Sequence, residues 1–448
     1  MVNASNSTDE QRDHRHHVHP WQGMSETVDD AREVISAGEG VYLRDEYGNR
    51  LMDGPGGMWC VQVGHGRREI ADAIARQAMT AAYCSPWSHT STPAVELAET
   101  LARLTPADLN RVCFTTGGST AVDTALRFVQ FYNNVLGRPE KKCIISREQA
   151  YHGSAYLSAG VSGKERDRSF MDAARDQVSI LPSVKSLDRD PGESLSAFCD
   201  RQVAALEQEI LRLGPERVAA FIAEPVQASG GVIVPPEGYL KRCAEVCRAH
   251  GVLFIADEVV TGFGRLGHWF ASEAVFGATP DIITTAKGLT SGYQPLGACC
   301  ISDRLFEDLA GESAAFANGY TYSAHPVSCA AALENIAIME REDLLSRVRE
   351  TSAHMQARLA SLRELPLVRD VRGVGLLGCV ECGDGADLAR DHQLGAEIDE
   401  ACQRRGLLVR PIVNLCVVSP PLIISTEQID TMVDILGESI EAVAARYG

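Results

Sequence analysis

The chain has 448 residues, more than one hydrophobic core usually serves, so a large domain and at least one smaller one are expected. A content of 45% hydrophobic residues marks it as globular, and a net charge of −18, from 42 Lys plus Arg against 60 Asp plus Glu, argues against nucleic-acid and anionic-membrane partners. No apolar run is long enough to span a membrane and the polar start has no signal-peptide core, so a cytoplasmic protein is expected.

In chain order, the leader ends in "DHRHHVHPW". Its histidines at 14, 16, 17 and 19 are possible metal ligands, but the stretch has no apolar periodicity and is expected to be an unstructured leader without a metal. "VYLRDEYGNRLMDGPGG" reads as strand, turn and strand, and a helix pair follows, the second helix with Thr92 as N-cap and Pro93 in its first turn. From about residue 111, short apolar runs ("RVCFTT", "KKCIISRE", "RVAAFIAEP", "VLFIADE", "DIITTA") alternate with amphipathic helical stretches. That pattern predicts an α/β fold, its parallel sheet covered by helices on both faces. Beyond about 330, a helix, several strands and a last helix from Thr426 suggest a smaller α+β domain assembled from both ends of the chain. The expected division is 1–75 and 331–448 for the small domain, and 76–330 for the large one. The 14 cysteines are scattered, mostly in apolar surroundings, and the single C-x-x-C (Cys379, Cys382) has no second pair to complete a zinc site; they read as structural.

Ligands of such sheets bind beyond the carboxyl ends of the strands, so the residues just after each apolar run carry the functional information. After "VCF" comes "TTGGST", where Gly118 and Ser119 open a helix that could seat a phosphate, or simply form a capped turn. "YHG" follows the next run and offers the Tyr151 ring for stacking, with His152 beside it. Glu224, then Asp257 and Glu258, end two further runs; taken singly, each could cap a helix or pair with an arginine. Lys287 ends another, where an ammonium is costly to desolvate. A desolvated lysine is a nucleophilic amine suited to a Schiff base. A phosphate seat, a stacking ring, a carboxylate and such a lysine together meet the needs of pyridoxal phosphate.

The runs "DEVVTGFGR" (257–265) and "TTAKGLTSGYQPLGA", read with the whole span from "HPW" to "PPLIIS", resemble the class III aminotransferases of the fold-type I pyridoxal-phosphate enzymes. The resemblance implies that Lys287 binds the cofactor covalently, that Asp257 pairs with its pyridinium nitrogen, and that Val259 and Tyr151 flank the ring. It implies Gly118 and Ser119 at the phosphate, with His152 and Glu224 near the cofactor. Thr321 would reach the phosphate of a neighbouring subunit, giving a homodimer with shared sites. "GGSTA" stands where the family usually has S-G-S-E-A, so the hydrogen bonds around this loop differ. "GMWCVQVGHGR" and "LVRPI" resemble the ω-amino acid or amine:pyruvate transaminases, in which Trp59 would line the substrate pocket and Arg410 would meet a substrate carboxylate. The expected reaction is ping-pong transfer from an amine donor to an oxo acid such as pyruvate. An aminomutase, racemase or decarboxylase on the same scaffold is the alternative, and a binding or redox module built on the C-x-x-C and histidines is a more distant one.

Overall fold

The computed structural model describes residues 8–27, 32–168 and 170–447. A seven-stranded sheet forms its centre, in the spatial order Arg111–Thr115, Gly297–Ile301, Ile282–Thr285, Leu253–Asp257, Val218–Ala223, Cys143–Arg147, Val178–Leu181. Neighbours from Ile282–Thr285 outward to Val178–Leu181 pair in parallel. Gly297–Ile301 runs antiparallel to both of its neighbours. The direction of this strand is absent from its composition, since "GACCI" is as apolar as the parallel strands beside it.

Strand residues alternate between two cores, as a doubly covered sheet requires. Ile144, Ala220, Ile222, Ile255 and Ile282 pack with Val122, Leu126 and Val129 of the helix Gly118–Val135. Ile145, Phe221, Phe254 and Ile283 join the opposite core with residues of the helices Leu195–Leu213 and Tyr239–Ala249. Because the strands run in parallel, their carboxyl ends lie along one edge.

A second sheet joins the two ends of the chain: Ile35–Glu39, Tyr42–Asp45 and Arg50–Asp53 form a meander, and Leu407–Leu408 adds to it parallel to Arg50–Asp53. A third contains Val368–Val374, Leu377–Cys382, Leu415–Val418 and Arg410–Ile412. All 14 cysteines are free thiols. Cys379 and Cys382 are buried in different core clusters, so the C-x-x-C spacing does not present both thiols to one site. Among the described residues no helix is long and apolar enough to cross a membrane.

Two sequence expectations are corrected. The leader is not unstructured where it is described: Asp9–His16 is a helix, closed by a capping box in which Thr8 and Gln11 exchange side-chain and backbone hydrogen bonds. None of its residues is buried, so the apolar periodicity that announces most helices is missing, and Tyr47 Oη anchors it by donating to Glu10 Oε1 at 3.1 Å. In this segment Asp13 hydrogen-bonds both His17 (3.0 Å) and His19 (2.6 Å). The first seven residues of the leader lie outside the described residues. The helix Thr92–Leu104 is capped by Ser91, one residue before the expected Thr92; the Ser91 Oγ accepts from Ala94 N, a contact worth about 1 kcal/mol.

Candidate active site

Register places the strand-end groups side by side. Ala223 pairs with Ala256, so Glu224 and Asp257 are neighbours at the sheet edge, and Asp257 pairs with Thr284, three residues before Lys287. Lys287 opens a short 3-10 turn with φ of +45°, a left-handed conformation that costs a side-chain-bearing residue about 1–2 kcal/mol. The turn is held from outside: Asn335 Nδ2 donates to the carbonyls of Gly288 (2.9 Å) and Leu289 (3.1 Å), and Ser291 Oγ accepts from Gln62 N (2.7 Å) and Val63 N (2.9 Å). Burial pushes the Lys287 ammonium below the usual lysine range, with Asp257 pulling the other way. The amine is thereby neutral, and a nucleophile, over a wider pH range than a surface lysine.

Asp257 is 4% exposed, and its Oδ2 is 2.7 Å from His152 Nδ1 while its Oδ1 accepts from Val259 N at 3.1 Å. His152 Nε2 is buried without a partner, so the imidazole serves the carboxylate alone. Glu258, next in sequence, has a different job. Its carboxyl oxygens accept from Thr261 Oγ1, Ala271 N and Ser272 N, bracketing the following turn and helix, and burial pushes the group upward. Glu224 is also buried, which pushes its carboxyl upward; its Oε1 accepts from Tyr151 N at 3.0 Å and fixes the backbone beneath the tyrosine ring.

The helix Gly118–Val135 begins without a side-chain cap, leaving its first-turn amides open to an anion. A Cβ at Gly118 would lie 2.9 Å from Val259 Cγ1, so the loop and Val259 are in close contact and only glycine fits. Ser119 Oγ accepts from Ser154 N at 3.1 Å. Thr120, where the resembling family has glutamate, donates to Gly117 O (2.9 Å) and accepts from Thr116 N (3.2 Å), so the loop supplies its own bracing.

On the far side, Trp59 is 2% exposed, with the Lys287 Nζ 5.2 Å from its ring centroid and the Arg410 guanidinium 4.9 Å from it. The Trp59 Nε1 and Arg410 Nε have no hydrogen-bond partner, and Arg410 forms no ion pair among the described residues. Thr321 differs from the rest. It lies in an exposed turn, its carbonyl accepting from Tyr83 Oη at 2.8 Å, and no hydrogen bond or ring contact joins it to the others within one chain.

Gln62, Ser291 and Asn335 had no signature in the sequence, since each acts across a long stretch of chain. Lys164, in a polar loop, is also buried beside Tyr151. The remaining features fit pyridoxal phosphate: an uncapped helix N-terminus for the phosphate, an oriented buried carboxylate for a pyridinium nitrogen, and a desolvated lysine.

Comparison with known proteins agrees. The chain matches the Aminotransferase class-III family over residues 24–440. It is 37% identical to the putrescine–pyruvate aminotransferase of Pseudomonas aeruginosa, over 96% of this chain and 95% of that protein. The crystal structure of an (S)-enantioselective ω-transaminase from Thermomicrobium roseum superposes with a TM-score of 0.93 at 38% identity, covering 97% of this chain and 98% of that one. The ω-transaminase of Pseudomonas jessenii in complex with PMP gives 0.94 at 33% identity, covering 98% and 99%. The chain belongs to the class III aminotransferases, pyridoxal-phosphate-dependent enzymes of fold-type I.

Proposed function

We propose that this aminotransferase moves an amino group from an amine or ω-amino acid to an oxo acid, with pyruvate preferred, in two half-reactions at one site. The observation that carries the reading is the arrangement of Trp59 between Lys287 and Arg410, which sets a cation beside the lysine without an ion pair of its own. The similarity to a putrescine–pyruvate aminotransferase and to ω-transaminases supports it.

Bound pyridoxal phosphate supplies an electron sink for the pair released at the substrate carbon. Lys287 would attach the cofactor, and its Nζ, once freed as a neutral amine, would accept the proton given up by the substrate carbon. Asp257, oriented by His152, would keep the ring nitrogen protonated. Val259 and Tyr151 would flank the ring, Glu224 steadies the Tyr151 backbone, and the amides of Gly118 and Ser119 would hold the phosphate. Trp59 walls the substrate side.

Arg410 then meets the acceptor carboxylate. Arg410→Ala should impair the pyruvate half-reaction by about 2–3 kcal/mol, the scale of a lost charge-assisted hydrogen bond, and spare the half-reaction with an uncharged-tail amine. Single-turnover absorbance of the cofactor follows each half separately. Equal damage to both halves, or to neither, would assign the carboxylate to another group.

The functional unit is a homodimer in which Thr321 completes the phosphate site of a second copy. Supporting this, Tyr83, Trp87 and Tyr322 are exposed around Thr321, with Tyr83 and Tyr322 in edge contact at 6.2 Å, an apolar patch suited to a self-complementary interface. Thr321→Ala should weaken cofactor retention, and mixing it with Lys287→Ala should restore activity in heterodimers. A monomer on sizing, or no complementation, would remove the shared site. Residues 1–75 and 331–448 form the small domain and 76–330 the large one, and the free cysteines suit the reducing cytoplasm.

A further inference from the structure

Lys164 is 7% exposed, yet it has no carboxylate partner among the described residues. Its Nζ donates to the Ser229 Oγ at 2.5 Å and makes no other hydrogen bond there, although an ammonium carries three donors. A buried cation with one neutral partner is costly, and a structural site would ordinarily place an acid beside it. The adjacent Glu165 is exposed, Asp167 is engaged by Arg166 at 3.2 Å, and Glu224 is engaged by the Tyr151 amide.

The Lys164 Nζ stands 5.8 Å from the Tyr151 ring centroid, and the Trp21 ring is 6.0 Å from the same ring. The charged groups acting on Lys164 are Asp167 and Arg166 from its own turn, Glu224 from the sheet edge and Arg410 from the strand Arg410–Ile412; Asp167 and Arg166 act on Arg410 too. Lys164 and Arg410 thus feel each other's charge with Tyr151 beside Lys164, and neither cation has an ion pair among the described residues.

We propose that Lys164 and Ser229 form a subsite for the distal carboxylate of an ω-amino acid donor, so that the pocket selects such donors over diamines of equal length. The proposal rests on the donor–acceptor reading given above. A carboxylate tail receives the two unused ammonium donors, whereas an ammonium tail of the same length meets like charge and leaves those donors unpaired. The two penalties add in the same direction, which makes the discrimination sharper than either alone. Burial brings the Lys164 ammonium down to about 8, so the subsite is cationic below that pH and loses its charge above it.

The test measures equilibrium binding of two non-reacting probes, glutarate and butanoate, to the holoenzyme by calorimetry between pH 6.5 and 9.5. The parent should bind glutarate about tenfold or more tightly over butanoate at pH 6.5, and the ratio should fall toward unity as the pH passes about 8. Lys164→Met should abolish the ratio at every pH while leaving butanoate binding unchanged, and Lys164→Arg should keep it up to pH 9.5 because a guanidinium does not titrate there. The kcat/KM ratio of 4-aminobutanoate to 1,4-diaminobutane should fall with Lys164→Met in step with the binding ratio. A parent without the glutarate preference, a preference that survives Lys164→Met, or equal weakening of both probes would overturn the proposal. Binding needs no turnover, so a failure of the carboxylate reading at Arg410 would appear in Arg410→Ala and leave the Lys164 comparison readable.

Discussion

Lys287→Ala should abolish covalent attachment of the cofactor and lower amino transfer by about 10⁴-fold or more, the upper end of the range for general acid–base groups, because one side chain supplies both the tether and the proton carrier. Borohydride reduction followed by intact-mass measurement should find the cofactor's added mass on the parent chain and none on the variant. The turn itself should survive, since Asn335 and Ser291 hold it through backbone carbonyls and amides rather than through the lysine side chain. Alanine at φ of +45° keeps the same backbone strain as lysine, so the melting temperature of the apoprotein should not fall. A variant that still fixes the cofactor after reduction would move the attachment to another amine, with Lys164 the first to examine.

Asp257→Asn should cut the rate by about 10²–10⁴-fold while the fold persists. The amide is nearly isosteric and can still accept from Val259 N and bond His152, so the local geometry has no reason to collapse. What it lacks is the negative charge that keeps a pyridinium nitrogen protonated. The two readouts to compare are therefore kcat and thermal midpoint: a large loss in the first with little change in the second. A rate within a fewfold of the parent would make Asp257 a strand-end anchor like its neighbour Glu258.

The strand ends were legible in the sequence because strands buried on both faces read as unbroken apolar runs, and a charged residue that terminates such a run is conspicuous. Asp257, Glu224 and Lys287 were found that way. What the runs do not carry is direction, which is why Gly297–Ile301 emerged as antiparallel only from its pairing. Charge alone did not distinguish Asp257 from Glu258 either; the difference lies in partners, an imidazole for one and two amides with a hydroxyl for the other. The helix Asp9–His16 escaped notice because its stability is local, in caps and charges, and it buries nothing. Asn335 and Lys164 were hidden for the opposite reason. Each is an ordinary polar residue until a distant segment folds over it, and burial of that kind has no period in the sequence.

The parallel pairing of Leu407–Leu408 with Arg50–Asp53 has a consequence for the order of assembly during synthesis. Trp59 lies shortly after one of these strands and Arg410 shortly after the other, so the pair that walls the substrate side unites segments far apart in the chain. A nascent chain that has emerged through Ile301 already holds the large sheet's strands, but its N-terminal meander keeps an open edge until Leu407–Leu408 arrives. Such a non-local closure is slow to form and leaves a strand edge exposed meanwhile. The large sheet with its reactive lysine can thus form before the two segments that wall the substrate side come together.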